Sequence, residues 1–201
     1  MLNNESPAPK CNNQKSFVAE ILDYVEIFVF SVCAVLLIFS FFVRVCRVDG
    51  PSMNNTLLHN EILITCNIGY EPKQNDIVVF HQTSDQQYGY NKPIVKRVIA
   101  TGGQYVKIDF DKSIVYVSND PDFEYEDVLN EQEYIYLDTG KWKMSGSIET
   151  YVPEGKIFVM GDNRNNSSDS RSREIGLVDT RRVLGKVVLR VFPFERFSIF
   201  N

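Results

Sequence analysis

An uncharged apolar run, IFVFSVCAVLLIFSFFV, extends from Ile27 to Val43 and limits the structures that this chain can form. As an α-helix, a run of this length would span roughly 26 Å, which is near the lower limit for crossing the hydrocarbon core of a bilayer. The run therefore predicts a single transmembrane helix over residues 26–46, preceded by a polar N-terminal tail over residues 1–25.

Two other structures could use such a run: a buried core helix, or a signal peptide that is removed. A core helix is disfavoured because the run is apolar on every face rather than on one. A signal peptide is disfavoured because Arg44 and Arg47 follow the run, where a cleavage site would need small residues. Lysine and arginine on the two sides of the run do not indicate its orientation.

Beyond the predicted helix, the apolar residues form short runs with a period of two, which is typical of β-strands. Gly, Asn, Asp and Pro lie between these runs, as they do in turns. The runs cover residues 61–65, 76–81, 93–100, 104–110, 113–118, 134–137, 156–160 and 186–192. Residues 47–201 are thus predicted to form a mostly β domain, either a sandwich or a barrel.

Charge and composition exclude several classes of partner. The formal net charge is −5 and lysine and arginine are not clustered, so no basic surface is expected that could bind nucleic acid.

Carboxylates crowd residues 119–133, which we interpret as a solvated loop, although a partner-binding acidic strip has the same composition. Four cysteines and two histidines show no metal-binding spacing. We expect neither a metal site nor a cofactor.

A serine in the segment VDGPSMNNTL is a candidate nucleophile, Ser52, and it needs a partner that takes its proton. Lys96 lies in the apolar strand PIVKRVIA, where Lys96 and Arg97 point to opposite faces. One of these two cations must therefore face inward. An inward lysine would have a lowered pKa and could act as a neutral amine. Alternatively, Lys96 extends to the rim of the sheet while Arg97 pairs with an acid.

A third polar segment, MGDNRNNSSDSR at residues 160–171, follows the predicted strand KIFVM. It contains amide, hydroxyl, carboxylate and guanidinium side chains in one short stretch. Such a set could form a hydrogen-bonded network around a site, but it is also compatible with a simple polar loop.

Together these segments resemble type I signal peptidases, the membrane-bound proteases with a serine and a lysine that remove signal peptides. The matching pieces occur in the order of that family and are VDGPSMNNTL, NDIVVF, KRVIATGG, VPEGKIFVMGDNRNNSSDSR and GKVVLRVFPF. The resemblance implies a mostly β catalytic domain of the bacterial type, because lysine rather than histidine stands at position 96. The chain resembles the short, Gram-positive form of the family.

The resemblance assigns the catalytic roles residue by residue. Ser52 would be the nucleophile and Lys96 the general base. The backbone N–H of Ser52 would be one donor to the oxyanion. The second donor would come from near Gly50, where some members have a serine hydroxyl; here backbone or water would have to serve. Met53 would line a substrate pocket.

The resemblance also assigns supporting residues in the polar loop. Ser167 falls where the family has a serine that hydrogen-bonds the lysine amine. Asp169 and Arg171 match an ion pair that shapes the site. The remaining supporting residues are Arg97, Asp162 and Arg164.

The resemblance further implies a location in the cell membrane, anchored once in the lipid bilayer, with the catalytic domain outside the cytoplasm. The substrates would be preproteins that bear signal peptides and bind as an extended strand with small side chains before the cut. Two other hypotheses remain open: a catalytically silent, membrane-tethered β module that binds peptides, and a self-processing protease of the LexA-like type.

Overall fold

A computed structural model describes residues 17–82, 93–138 and 140–200 of the chain. Residues 1–16, most of the predicted polar tail, lie outside the described residues. The chain divides into two compact units, Met1–Phe41 and Phe42–Asn201. Within the described residues the first unit is helical and the second is mostly β.

The N-terminal helix, α1, extends over Phe17–Phe42 and differs at both ends from the predicted segment at 26–46. It begins earlier because residues 17–25 contain strong helix formers such as Ala19 and Leu22. It ends earlier because the next residues form a strand, in which branched valines alternate with longer side chains. In the part of the chain that the structure describes, no helix combines the length and apolarity needed to cross a membrane. The predicted transmembrane helix is therefore not supported.

The second unit contains eleven strands among its described residues, and their pairing is antiparallel. They are β1 (Val43–Arg47), β2 (Ile62–Cys66), β3 (Ile77–His81), β4 (Pro93–Ala100), β5 (Tyr105–Asp109), β6 (Ile114–Ser118), β7 (Ser147–Tyr151), β8 (Lys156–Met160), β9 (Val178–Asp179), β10 (Val183–Phe192) and β11 (Ser198–Ile199). The larger sheet has the order β1-β2-β10-β3-β4-β8-β9, with β11 on β10. The smaller sheet has the order β6-β5-β7. The prediction of a mostly β fold is confirmed.

Four strands were not predicted, and one predicted strand is absent from the described structure. The short strands β9 and β11 have two residues each, too few to show a period. The edge strand β7 exposes alternate residues and carries mixed side chains, so its apolar signal is weak. Strand β1 was assigned to the membrane segment. Residues 134–137 form no strand; Tyr136 makes only an isolated bridge to Asn163.

The central strand β4 is packed on both faces, which decides how its charged residues are placed. Ile99 belongs to a core cluster that also contains Ile108 of the smaller sheet and Phe158. Val98, on the other face, packs in a second cluster with Phe80. A strand covered on both sides buries successive residues rather than alternate ones. Any polar side chain along the second half of β4 must therefore find its partner inside the protein.

Candidate active site

The candidate nucleophile lies in a compact turn between β1 and β2. Gly50 has a φ of +94°, a conformation that glycine adopts without strain. The N–H of Asn54 donates to the carbonyl of Pro51 at 2.9 Å, which closes the turn around Ser52. Met53, directly after Ser52, has an exposed fraction of 0% and packs in the core. Met53 therefore connects the turn to the core, and its assignment to a substrate pocket stays a prediction.

The candidate base meets the candidate nucleophile. The Nζ atom of Lys96 lies 2.6 Å from the Oγ atom of Ser52, within hydrogen-bond distance. Lys96 is on β4 opposite Val78 of β3, and only 3% of it is exposed. Among the hydrogen bonds of the described residues, Ser52 Oγ is the only partner of the amine.

The surroundings of Lys96 lower the pKa of its amine to about 8. The main cause is burial, which disfavours the charged ammonium form. The carboxylates of Asp169 and Asp162 act in the opposite direction, and the Arg171 guanidinium again lowers the pKa. Because the two carboxylates are themselves paired with arginines, burial prevails. With this pKa, about one tenth of the amine is neutral at pH 7 and about half is neutral at pH 8.

Both cations of the strand are buried, whereas the sequence had required only one to face inward. Arg97, which is 8% exposed, makes two hydrogen bonds to Asp162, at 2.9 and 2.7 Å, and one to the carbonyl of Asn75 at 2.8 Å. The ring of Tyr134 lies 3.9 Å from its guanidinium carbon. Arg97 therefore pairs with an acid, as one alternative predicted, but Lys96 does not extend to the rim.

The polar loop at 160–171 is organised around Asp169, which is fully buried. Its carboxylate accepts hydrogen bonds from Nε and Nη2 of Arg171, both at 2.8 Å, and from the N–H of Gly161 at 3.0 Å. Burial alone would raise the pKa of this carboxyl, but the hydrogen bonds and charge of Arg171 outweigh burial and lower that pKa. Asp169 is therefore a permanent anion beside the candidate site.

Ser167 takes part in this network differently from what the resemblance implied. Its hydroxyl donates to Oδ2 of Asp169 at 2.7 Å. The expected bond to the amine of Lys96 is not among the hydrogen bonds of the described residues. In the structure, Ser167 bonds to the carboxylate whose charge acts on Lys96.

Arg164 pairs with Glu131, a residue of the segment that was predicted to be a solvated loop. Its Nη1 atom donates to Glu131 at 2.6 Å, and its Nη2 atom donates to the other carboxylate oxygen. Glu131 is only 6% exposed, so the interpretation of the whole segment 119–133 as a solvated loop is wrong at its end. The sequence offered no signal, because Glu131 resembles its exposed acidic neighbours.

Asn163, which the sequence analysis did not single out, joins the polar loop to the serine turn. Its backbone N–H donates to the carbonyl of Ser52 at 3.0 Å, and its Nδ2 atom donates to the carbonyl of Pro51 at 3.1 Å. The loops approach so closely at Gly161 that a Cβ atom there would lie 2.5 Å from the Ser52 carbonyl oxygen. Glycine is the only residue that fits this contact.

The two candidate oxyanion donors differ in their availability. Within the described part of the chain, the N–H of Ser52 donates no hydrogen bond. The N–H of Gly50 donates instead to Nδ1 of His59 at 3.1 Å. Gly50 therefore shapes the turn but does not have a free amide hydrogen.

A cavity of about 340 Å³ lies beside Ser52 and Lys96. Its walls are mainly apolar and come from β1, the Ser52 turn, β2, β3, β4, the polar loop and Ile175. The lining residues are Cys46, Arg47, Val48, Asp49, Gly50, Pro51, Ser52, Leu63, Val79, Pro93, Ile94, Val95, Lys96, Ser168 and Ile175. Within the described ranges, no group of three or more His, Cys, Asp or Glu side chains could hold a metal ion. The cavity can receive a short, extended apolar segment next to the serine hydroxyl.

Comparison with known proteins identifies one matching family model and several similar proteins. The family model described as "Signal peptidase, peptidase S26" matches residues 21–192. Signal peptidase IB of Staphylococcus aureus (strain COL) is 29% identical over 191 residues, covering 89% of this chain and 93% of the relative. Probable signal peptidase I-1 of Synechocystis sp. is 33% identical over 169 residues, covering 81% and 78%. A crystal structure of a signal peptidase I from Enterococcus faecalis V583 is 27% identical, with a TM-score of 0.40, and covers 58% of this chain and 97% of that chain.

Proposed function

Because this chain belongs to the signal peptidase family, peptidase S26, we propose that it is a serine endopeptidase that removes N-terminal signal peptides from exported preproteins. In this proposal, Ser52 is the nucleophile and Lys96 is the general base.

The observation that carries the proposal is the 2.6 Å separation between Lys96 Nζ and Ser52 Oγ. A general base must lie within hydrogen-bond reach of the proton that it removes. It must also be partly unprotonated at the working pH, and the pKa of about 8 meets this requirement. A binding module would have no use for a buried amine beside a serine hydroxyl.

The proposed reaction proceeds through an acyl-enzyme. The neutral amine of Lys96 accepts the hydroxyl proton of Ser52 while the oxygen attacks the scissile carbonyl. The ammonium then gives this proton to the departing amine, and the signal peptide stays bound to Ser52 as an ester. A water molecule, deprotonated by Lys96, attacks the ester and releases the signal peptide. As the bond to Ser52 breaks, the Lys96 ammonium gives this second proton to the departing Ser52 oxygen, so the hydroxyl is restored and the base ends each cycle in its neutral form.

The oxyanion of each tetrahedral intermediate needs hydrogen-bond donors. We assign one donor to the N–H of Ser52, which has no partner among the described hydrogen bonds. The N–H of Gly50 already donates to His59. Water is therefore a better candidate than the backbone of Gly50 for the second donor.

The cavity supports the proposed choice of substrate. Its apolar wall, which includes Leu63, Val79 and Ile94, favours short apolar side chains over charged ones. Its volume of about 340 Å³ is shared by several residues of a bound segment, so each must be small. A preprotein bound as an extended strand, with small residues before the cut, would satisfy both conditions.

We include a location at the cell membrane, with the β-rich unit outside the cytoplasm, in this proposal. It is supported by α1, whose large apolar side chains are exposed, among them Phe28 (68%), Phe30 (67%) and Leu36 (62%). A surface of this kind indicates an apolar environment. Cell fractionation, followed by protease treatment of intact cells, tests both the location and the side on which the β-rich unit lies.

The function is tested by incubating purified full-length protein in detergent with a preprotein and by measuring release of the signal peptide. We expect Ser52→Ala and Lys96→Ala to reduce kcat at least about a thousandfold. Lys73→Ala, which alters an exposed lysine, is the matched control. Circular dichroism and thermal unfolding establish that each variant is folded. Normal cleavage by a folded Ser52→Ala or Lys96→Ala variant would eliminate the proposed mechanism.

A further inference from the structure

A histidine that the proposed mechanism does not use holds the turn of the nucleophile. The Nδ1 atom of His59 accepts a 3.1 Å hydrogen bond from the N–H of Gly50, two residues before Ser52. Two backbone bonds close the loop that brings His59 to this position: Val48 N–H donates to Glu61 at 2.9 Å, and Asn60 N–H donates to Val48 at 2.9 Å. His59 thus reaches across a loop that is closed at its base.

The partner of His59 must change when the imidazole gains a proton. A neutral imidazole can accept at Nδ1, but in the protonated ring both nitrogens are donors. The protonated Nδ1 cannot accept from Gly50 and would repel its N–H. An alternative partner is nearby, because Oδ1 of Asp49 lies 3.7 Å from Nδ1. The imidazole therefore has one partner in each protonation state.

We propose that His59 is a positioning residue for the Ser52 turn, and that its protonation slows peptide cleavage by releasing Gly50. The inference rests on the proposed function and adds regulation of that site by pH. Histidine is the side chain that can gain its charge near neutral pH, so we expect the effect when the pH is lowered from 8.5 to 5.5.

The surroundings of His59 allow this change. Among the residues that the structure describes, Asp49 is the charged group in contact with His59. The side chains of His59 and Asp49 are 58% and 76% exposed, so a proton reaches the ring freely. Glu61, the other acid of this loop, is buried and paired with Arg190 and Arg196. It is therefore not a competing partner for His59.

The turn is held from two sides, which explains why losing one bond would affect catalysis. On the far side of the serine, Asn163 donates to the carbonyls of Pro51 and Ser52. On the near side, His59 holds the amide of Gly50, which also lines the cavity. Without the hydrogen bond from Gly50 to His59, the backbone at Gly50 is less restrained at its φ of +94°. The hydroxyl of Ser52 can then move away from Lys96 more easily.

The test compares the pH dependence of kcat/KM in the full-length parent protein and in two variants, His59→Asn and His59→Ala. Asparagine carries an oxygen that can accept near the position of Nδ1 but does not titrate. For each protein, kcat/KM at pH 5.5 is divided by kcat/KM at pH 8.5. We expect this ratio to be about fivefold larger for His59→Asn than for the parent. Protonation of Lys96 affects both proteins equally and cancels in this comparison. His59→Ala lacks the acceptor and should lose about fivefold at pH 8.5.

His81, the other histidine of the chain, provides the control, because His81→Asn should leave the normalised profile of the parent unchanged. The ¹⁵N shift of the Gly50 amide should also titrate in the parent but not in His59→Asn. Superimposable normalised profiles for His59→Asn and the parent, or full activity of His59→Ala at pH 8.5, would overturn the proposal. Absence of cleavage by the parent at pH 8.5 would instead overturn the proposed function, and this inference with it.

Discussion

The backbone N–H of Asn163 donates a 3.0 Å hydrogen bond to the carbonyl oxygen of Ser52. This bond joins the polar loop at 160–171 to the turn of the candidate nucleophile, two segments that are distant in the chain. The same loop holds Asp169, whose charge acts on the amine of Lys96. One loop therefore affects both the position of the nucleophile and the charge of the proposed base.

The first prediction concerns the pH dependence of cleavage. Because Lys96 acts only as the neutral amine, kcat/KM should rise about tenfold per pH unit between pH 6.5 and 7.5 and level off above its pKa of about 8. Initial rates of preprotein cleavage at low substrate concentration measure this profile. A plateau that begins near pH 6, or a rate that falls between pH 7 and 8, would contradict a lysine base.

The second prediction concerns the stability of Lys96→Met. The unfolded chain binds a proton at Lys96 up to its usual pKa of 10.5, whereas the folded chain releases it near 8. Below pH 8 this difference makes the buried lysine destabilising by about 3 kcal/mol. The methionine variant should therefore be inactive but more stable than the parent at pH 7, by up to that amount.

The same difference gives the pH dependence of this gain. Between pH 8 and 10.5 the unfolded parent holds more protons than the folded parent, so its free energy of unfolding rises with pH. The advantage of Lys96→Met should shrink over this interval in urea unfolding experiments. Lys73→Met, at an exposed position, should show no such trend. A constant difference between pH 7 and 10 would mean that the pKa of Lys96 is not lowered.

The third prediction concerns the pair of Glu131 and Arg164. The side chain of Arg164 has no exposed surface, so Glu131→Gln leaves its guanidinium buried without the carboxylate that pairs with it. We expect the free energy of unfolding to fall by about 3 kcal/mol. Glu133→Gln, two residues away and exposed, is the control and should change stability little. Equal stabilities of the two variants would show that the buried pair is not formed.

The fourth prediction separates two roles for Ser167. If its hydroxyl acts through Asp169, Ser167→Ala should reduce kcat about fivefold and leave the midpoint of the pH profile in place, because Arg171 still holds Asp169. If Ser167 instead bonds to the amine of Lys96, as the resemblance implied, the midpoint should move. The pH profile of the variant, compared with that of the parent, decides between these outcomes.

The strands were predictable where the apolar period was long and clear. The eight residues of β4 match their predicted range, and six further predicted runs overlap strands of the larger or smaller sheet. Strand β7 and the two-residue strands were not predictable, because pairing with a neighbour rather than their own composition stabilises them. The start of α1 was missed because apolarity, not helix propensity, was used to place it.

The candidate site was predictable only in part, and for a related reason. Ser52 and Lys96 stood out because their residue types are unusual in their settings, one in a glycine-proline turn and one in an apolar strand. Glu131, Asn163 and His59 did not stand out, since each is an ordinary polar residue in a polar segment. Their importance comes from partners that lie far away in the chain or across a closed loop.

The mostly β fold, an N-terminal helix and membership of the peptidase family could be recognised from the amino-acid sequence, because these depend on local periodicity and on motifs along the chain. The folded chain was needed to show that Lys96 and Arg97 are both buried, that Lys96 contacts Ser52, and that Met53 belongs to the core. The physical reason is that burial and hydrogen bonding depend on which faces of a strand are covered. A strand covered on both faces encloses side chains that periodicity alone would divide between the interior and the solvent.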